Sequence, residues 1–412
     1  MSVSPSTTGS EPPLSLYQLM DPEVLADPYP LYAALREEDP VHWDPYLHAW
    51  VVTRYEDVVT VLMRFKAGRT PSPERLEELG MGELSPIAAL MVKQMLFLDP
   101  PDHRRVRKLA SAAFTARRVA RMREHIEEIA DEIIGGLAGR DEFEVMEDLA
   151  NPLPAIVTAE MLGVPTSDHQ LLKRWSQDFA EMLGNFQHNP GRAKQMLQSV
   201  EEMVTYFQAA VAREATEPTE GLINALWTAE VEGDRMSDEE IVANVIITMV
   251  GGQETTTNLI GNGLLTLLRQ PEQLDRLRAE PELMESAVEE LLRFESPSQH
   301  TARLAPQGTV LGGKEIDEGA AVIAVMGAGN RDPERFEDPD RLELGREDNR
   351  HLAFGWAGHF CFGAPLARIE GQLAFAGLLE TFPKLSLAPD QEIEWRPNLG
   401  LRGLTQLRVL TA

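Results

Sequence analysis

Apolar positions recur every three to four residues over most of the chain and alternate over little of it, which predicts a mainly α (α+β) protein with small sheets at its edges. After a polar, Pro/Ser-rich lead-in expected to be disordered over residues 1–16, DPYPLYAALREED reads as a short helix. Alternation in VHWDPYLHAWVVTRY predicts two strands around a proline-containing turn, and EDVVTVLMR returns to a helical period. From Asp99 to Leu268 the period is almost wholly helical, punctuated by Pro, Gly, Asp and Asn at 152–155, 164–168, 189–191 and 217–221. Within it, Ile241, Val242, Val245, Ile246, Met249 and Val250, with no proline, predict one helix over Ser237–Gln270. At 1.5 Å per residue that helix is about 50 Å long and crosses the molecule. Helices continue through ELMESAVEELLRF, short strands occupy TVLGGKEIDEGAAVIAVM, and an irregular Pro/Asp/Arg-rich stretch leads to a last helix, APLARIEGQLAFAGLLETF, and terminal hairpins. With no internal repeat and no linker, residues 17–412 read as a single domain.

The middle of the long helix, GGQETTT, opposes helicity. Glycine costs on the order of 1 kcal/mol per residue in a helix interior, and three threonines add β-branched strain. A helix weakened at its centre implies that something passes close to its backbone there.

Composition narrows the function classes. With 43% hydrophobic residues in 412, the chain can bury a large core. A net charge of −28 opposes binding to nucleic acid and to anionic membrane surfaces. Eight of the 38 Lys and Arg residues nevertheless fall between Arg104 and Arg123, either a solvated helix face or a docking patch for an acidic partner. Glu239, Glu240, Glu254, Asn258 and Asn262 rule the long helix out as a membrane span. The start, MSVSPSTTGSEPP, has no apolar stretch of a signal peptide, so the cytoplasm is the expected compartment.

Cys361 is the only cysteine, which excludes an internal disulfide and a Cys-pair zinc site. It is either an inert buried thiol or a single ligand or nucleophile. Its setting favours the second. Gly355, Gly358 and Gly363 bracket it, as a turn that holds sulfur toward a flat ligand requires. A helix starting near Gly363 points its N–H groups back at the sulfur and favours the thiolate.

The segment Phe354, Gly355, Trp356, Ala357, Gly358, His359, Phe360, Cys361, Phe362, Gly363 resembles the haem-binding signature of cytochrome P450 monooxygenases, F-G-x-G-x-H-x-C-x-G. One fixed position departs, Ala357 for glycine, and Gly358 is expected to take up the turn. Three further segments resemble the family in its order. VGGQETT matches the central-helix motif, with Gly251 and Gly252 at the oxygen groove and Glu254 and Thr255 as the acid and alcohol of proton delivery. Glu290-x-x-Arg293 matches a buried scaffold pair completed by Arg341, in a run departing at Leu342. DPPDHRRVRKLASAAF matches the helix that clasps the haem propionates, which puts His103 and Arg107 there, joined by Arg303 and His359.

The resemblance implies a cytochrome P450 fold and haem b ligated axially by Cys361, whose thiolate favours O–O cleavage. Phe354, Gly355 and Gly363 would line that cofactor. It implies a monooxygenase that inserts one atom of O2 into a C–H bond of a small to medium apolar molecule, such as one of secondary metabolism, with electrons from a ferredoxin and its reductase. The Arg104–Arg123 cluster would face that partner. Substrate contacts are expected from 65–97, 298–300 and 398–401, with Val250, Gly251, Ser298, Gln299 and Leu399 foremost and Met81, Met91 and Met95 as an adaptable lining. Gln299 and His300 are candidates to hydrogen-bond a polar substrate group. Peroxide-driven hydroxylation and non-catalytic haem sensing are the alternatives, both opposed by the Glu254/Thr255 pair.

Overall fold

The computed structural model describes residues 14–184 and 190–411. Residues 1–13 of the expected lead-in lie outside the described residues, but Ser15 and Leu16 are already buried, at 2% and 0% exposure. Packing therefore starts before residue 17. Helix α1 (Tyr29–Glu38) precedes the hairpin β1 (Val41–Asp44) and β2 (Ala49–Val52), followed by α2 (Tyr55–Arg64). The turn forms because Asp44 Oδ1 accepts from the N–H groups of Tyr46 and Leu47 at 3.0 and 3.1 Å.

The helical body comprises α3 (Asp102–Ala113), α4 (Ala116–Gly135), α5 (Pro152–Leu162), α6 (His169–Gly184), α7 (Pro190–Arg213), α8 (Leu222–Thr228), α9 (Asp238–Leu268), α10 (Pro271–Ala279), α11 (Met284–Phe294) and α12 (Ala364–Thr381). Strand β3 (Glu142–Glu144) interrupts the stretch expected to be helical, because it pairs with the distant C-terminal β9 (Arg408–Leu410), which also pairs with β8 (Ser386–Leu387). Strand β4 (Thr301–Leu304), a second strand that alternation alone did not mark, pairs with β7 (Ala321–Ala324), while β5 (Thr309–Leu311) and β6 (Lys314–Ile316) form a hairpin of their own. The four-stranded sheet has the order β1-β2-β7-β4, with β2 and β7 parallel.

Helix α9 has the expected bounds within a residue or two. Ser237 caps it, and Ser237 and Glu240 form a reciprocal capping box. Its 31 residues span about 47 Å. Beyond its exposed first turn, apolar side chains from Ile241 to Leu267 are buried against α5, α6, α7, α11 and α12. The polar groups of its second half, Gln253, Glu254, Thr256, Thr257, Asn258 and Asn262, are buried as well. Burying polar groups on a core helix costs free energy unless each finds a partner, so these residues mark where the interior does more than pack.

Candidate active site

A cavity lies between the middle of α9 and the loop before α12. From α9 it receives Ile247, Thr248, Val250, Gly251, Gly252, Thr255 and Thr256, and from the loop Phe354, Gly355 and His359 to Gly363. His103 and Arg107 enter from α3, and Arg303 from β4. The expected cofactor residues are thus brought together from distant parts of the chain.

The loop is built around the sulfur. Cys361 N–H donates to Phe354 O at 2.8 Å, and Gly355 turns with φ +70°. The second left-handed residue is Ala357 itself, φ 54°, and not Gly358 as expected. The turn's geometry is fixed at that position, so the Cβ is tolerated at a cost of about 1–2 kcal/mol. Helix α12 starts behind the sulfur as expected. Burial pushes the Cys361 thiol up, while the N–H groups of Gly363 and Ala364 and the charges of Arg107 and Arg368 pull the other way. Among the described residues no group of three or more His, Cys, Asp or Glu could hold a metal ion, so Cys361 would be a lone protein ligand.

The charged and ring groups at the cavity's polar side are basic. His103 and His359 stack at 4.0 Å between ring centroids. Burial and the neighbouring His103, Arg303, Arg107 and Arg69 push His359 down to about 3. Burial lowers Arg303 to about 10, and Arg69, not foreseen from sequence, to about 9 with Arg303 adding to it. His103 Nε2 and Arg303 Nε have no partner among the described residues. Asp99 acts on Arg303 and on His103, and it already accepts from Ala67 and Gly68 N–H. Arg69, Arg107 and Arg303 thus bring together positive charge that suits the propionates of haem b. A Cβ added at Gly251 or Gly363 would meet nothing within 4 Å, so both glycines border open space. Orphaned donors, surplus charge and open glycines all fit haem b held by Cys361.

The remaining expected residues divide. Thr255 borders the cavity, and its hydroxyl donates to Gly251 O at 2.6 Å. Glu254 does not border it; its carboxylate is buried and ion-paired with Arg396. Successive helical residues point about 100° apart, so Glu254 cannot share Thr255's direction. Val250, Gly251 and Ser298 line the cavity, whereas Gln299 turns inward to donate to Ser296 O at 2.8 Å. Leu401 takes the place expected for Leu399, and of the three methionines only Met95 lines the cavity. His300, offered as a polar substrate contact, is not among the lining residues either.

Glu290 and Arg293 form the expected buried pair, both 0% exposed. The third member is corrected. Arg341 contributes its backbone carbonyl while its side chain is 66% exposed, and Arg346 Nε reaches Glu290 Oε2 at 3.2 Å instead. Leu342 is buried in the main core. Sequence also gave no warning of Glu370, whose unpartnered carboxyl reaches the cavity from α12 and is pushed well above the usual carboxylate range by burial.

A lone cysteine sulfur under a basic, glycine-floored cavity, on a fold threaded by one long helix, defines a haem-thiolate protein. The family model for Cytochrome P450 matches residues 84–407. The chain is 40% identical to "Cytochrome P450 107B1" of Saccharopolyspora erythraea, over 98% of this chain and 99% of the relative. It is 38% identical to "Cytochrome P450 monooxygenase PikC" of Streptomyces venezuelae, over 98% and 95%. Among solved structures, P450BioI in complex with hexadec-9Z-enoic acid ligated Acyl Carrier Protein superposes with a TM-score of 0.89 at 35% identity, over 95% of this chain and 99% of that one. The chain belongs to the cytochrome P450 family and is a haem b-dependent monooxygenase. It takes O2, an apolar substrate and electrons from a redox partner. Among the described residues no helix is long and apolar enough to cross a membrane.

Proposed function

We propose that the protein oxidises a small to medium apolar molecule that carries at least one hydrogen-bonding group, with electrons from a ferredoxin and its reductase, in the cytoplasm where NAD(P)H is made. The character of the cavity carries this reading. Leu62, Met95, Leu96, Met161, Ile247 and Leu401 give it an apolar wall, and Thr248, Ser298 and Thr301 supply sparse hydroxyls. Such a wall binds by burial and orients through a few polar contacts. It also excludes water from the reacting centre.

Haem b, when bound, supplies the iron chemistry that activates O2. Cys361 Sγ would ligate its iron, and Arg107, Arg303 and Arg69, with His103 and His359, would hold its propionates. Gly251 borders open space on the cavity side of α9. Thr255 donates its hydroxyl hydrogen bond to Gly251 O, which leaves the oxygen's lone pairs able to accept a donor in the cavity it lines. Glu254 would supply protons to that position.

Arg104, Arg117, Arg121 and Arg123 are exposed on α3 and α4. Phe360, 37% exposed, lies on the sulfur loop, whose carbonyl at Phe360 accepts from Arg107 at 2.8 Å. An acidic ferredoxin fits this surface. Other members of the basic run are spent internally: Arg105 on Glu240, Lys108 on Glu232 at 2.8 Å, and Arg118 on Gly221 O at 3.1 Å.

The test is spectroscopic and then kinetic. The reduced, carbonylated protein should show the red-shifted Soret band of sulfur ligation, lost in Cys361→Ser. A panel of steroids, long-chain fatty acids and macrolactones is then screened for the low-spin to high-spin shift. The best member should be oxidised with NADPH and a surrogate ferredoxin and reductase. Turnover with hydrogen peroxide but not with this chain would replace the proposal by the peroxide-driven reading.

A further inference from the structure

Three thioethers face the cavity, and neither haem binding nor proton supply uses them. Met95, Met161 and Met326 line it and are 8%, 5% and 4% exposed. No tyrosine or tryptophan is among the lining residues, and the Cys361 sulfur is taken up as the expected iron ligand. The methionine sulfurs are therefore the most easily oxidised free groups that border the reacting space. Burial alone does not mark them: Met146, Met203 and Met249 are buried to 2%, 0% and 0% exposure and do not line the cavity.

Position ranks the three. Met161 stands on α5, one helical turn after Thr158 and so on the same face of that helix. Thr158 Oγ1 lies 3.3 Å from where a Cβ on Gly252 would sit. Gly252 lines the cavity next to Gly251, which borders open space. This face of α5 thus meets α9 at its glycine pair, where the weakened centre of the long helix and the cavity coincide. Met95 is held further off: its N–H donates to Asn244 Oδ1 at 2.9 Å, and Asn244 lies about 12 Å along the axis from Gly252. Met326 belongs to another wall, since the N–H of the next residue, Gly327, donates to Gln299 O at 2.9 Å, beside Ser298.

We infer that Met161 is an internal oxygen acceptor: when O2 is reduced in a cavity that holds no substrate, its sulfur takes the oxygen atom that substrate would have taken. The balance is that of the established reaction. NADPH and a proton, acting through the redox partner, supply two electrons and two protons to O2. One oxygen atom forms the S–O bond of methionine sulfoxide and the other leaves as water. A sulfur lone pair becomes the new bond, so no bond to carbon or hydrogen breaks and the step is easier than insertion into a C–H bond. The product is a polar group in an apolar wall, which weakens the hold on apolar substrates. An enzyme that turns over empty therefore retires itself, and the buried sulfoxide is out of reach of a repairing reductase while the fold is intact. The inference rests on the monooxygenase activity and on no particular substrate.

The holoenzyme is turned over without substrate under isotopically heavy O2, with a surrogate ferredoxin and reductase, electron flow being followed by NADPH consumption and free peroxide removed by catalase. Its peptides are then read by mass spectrometry. Heavy sulfoxide should appear first at Met161, then at Met95 and Met326. At Met161 it should exceed by about tenfold or more that at Met20 and Met63, which are 48% and 56% exposed, and that at the buried Met146, Met203 and Met249. Carbon monoxide, which competes with O2, should suppress it. Label that follows exposure, that forms only when catalase is left out, or that carbon monoxide leaves unchanged overturns the proposal, and so does NADPH consumption with no heavy sulfoxide. Met161→Leu, a swap that nearly conserves volume, should keep the carbon monoxide Soret band and lower the total label by about threefold or more. Met249→Leu, on α9 but outside the cavity, should leave the label as it is. An unchanged total in the first variant, or an equal fall in both, removes Met161 from the role. Labelling of the unmodified enzyme decides the matter even if Met161→Leu fails to hold haem. A spin-shift screen without hits would sink the substrate proposal and leave this one standing, whereas an unlabelled Met161 sinks this one alone.

Discussion

Two buried carboxylate-guanidinium pairs flank the core of this protein, and they are built on opposite plans. Glu290 is saturated. Its oxygens accept from Arg293 at 2.7 and 2.8 Å, Glu343 N–H at 2.9 Å, Asn349 at 3.1 Å and Arg346. Arg293 spends its other donors on the carbonyls of Asn330 and Pro339, both at 2.8 Å. Asn330 in turn accepts from Leu352 N–H at 2.7 Å, just ahead of the sulfur loop. Glu254 has Arg396 and little else. A buried pair is a firm anchor only when every donor and acceptor is used, since each unused one leaves its desolvation cost uncompensated. The first pair is a fixed support for the sulfur loop; the second is less completely satisfied.

The comparison breaks first at Arg293. Removing one partner of a fully buried pair costs about 3–5 kcal/mol. Arg293→Ala should therefore yield little folded holoprotein, and Arg293→Lys should not rescue it, because an ammonium cannot reproduce the fork that reaches Glu290 and two carbonyls. Glu254→Gln should cost less, about 1.5–3 kcal/mol, the range for one hydrogen bond to a charged group. Melting temperatures of Glu290→Gln and Glu254→Gln, measured side by side, check the contrast; equal losses would erase it.

Motif reading located both members of the Glu290–Arg293 pair but only Glu254 of the second, for a definite reason. Glu290 and Arg293 are one helical turn apart, and the sulfur loop is ten consecutive residues, so local spacing carries both. The long helix was equally legible, because its apolar positions and its Ser237 cap are local. Arg396 meets Glu254 from 142 positions away, and Arg346 meets Glu290 from 56. No periodicity encodes such contacts. Arg341 was favoured for the scaffold because its run resembled the family's, yet only its carbonyl serves there, and backbone roles leave no mark in the side-chain sequence. The same holds for β4, whose partner β7 lies beyond another hairpin, and for Glu254, whose direction is decided by its neighbour's.

A second, smaller effect concerns the basic cluster, which like the Glu254 pair is left unsatisfied by protein. The propionate pair would be its missing partner. Arg303→Gln removes a cation with an orphaned Nε, and the loss of about 1.5–3 kcal/mol expected for a charged hydrogen bond corresponds to roughly 10- to 100-fold faster haem loss. Transfer of haem to apomyoglobin measures it. An unchanged transfer rate would mean that the surplus charge serves something other than haem.

Beneath the sulfur loop lies a third carboxylate that sharpens the contrast through pH. Arg368 donates to both oxygens of Glu289, at 2.6 and 2.7 Å, and lies 4.7 Å over the Phe354 ring. Burial works to raise the Glu289 carboxyl, but Arg368 and His351 outweigh it and hold it at about 2. A carboxyl depressed from 4.5 stabilises the fold above pH 4.5, and that contribution fades as pH falls toward 2. Glu289→Gln should therefore lower the unfolding midpoint at pH 7, and the gap to the unmodified protein should narrow on acidification to pH about 3. A gap that is constant with pH would assign the loss to packing instead of charge.

The smallest effect is expected at Ala357, where an anchored loop carries strain. Its φ of 54° lies in the left-handed region, which an alanine Cβ disfavours by about 1–2 kcal/mol. Glycine removes that penalty but adds about 0.4–1 kcal/mol of unfolded-chain entropy to be lost on folding. The two nearly offset each other, so Ala357→Gly should raise stability by about 1 kcal/mol or less. The sign is informative. If the Glu290 network fixes the loop as a rigid support, the turn cannot relax around the alanine and the full penalty is present, so glycine stabilises. A loop able to relax would have shed the strain already, and glycine would then destabilise by its entropy alone. Thermal unfolding of the carbon monoxide complex, with the Soret band as the signal, distinguishes a rise from a fall.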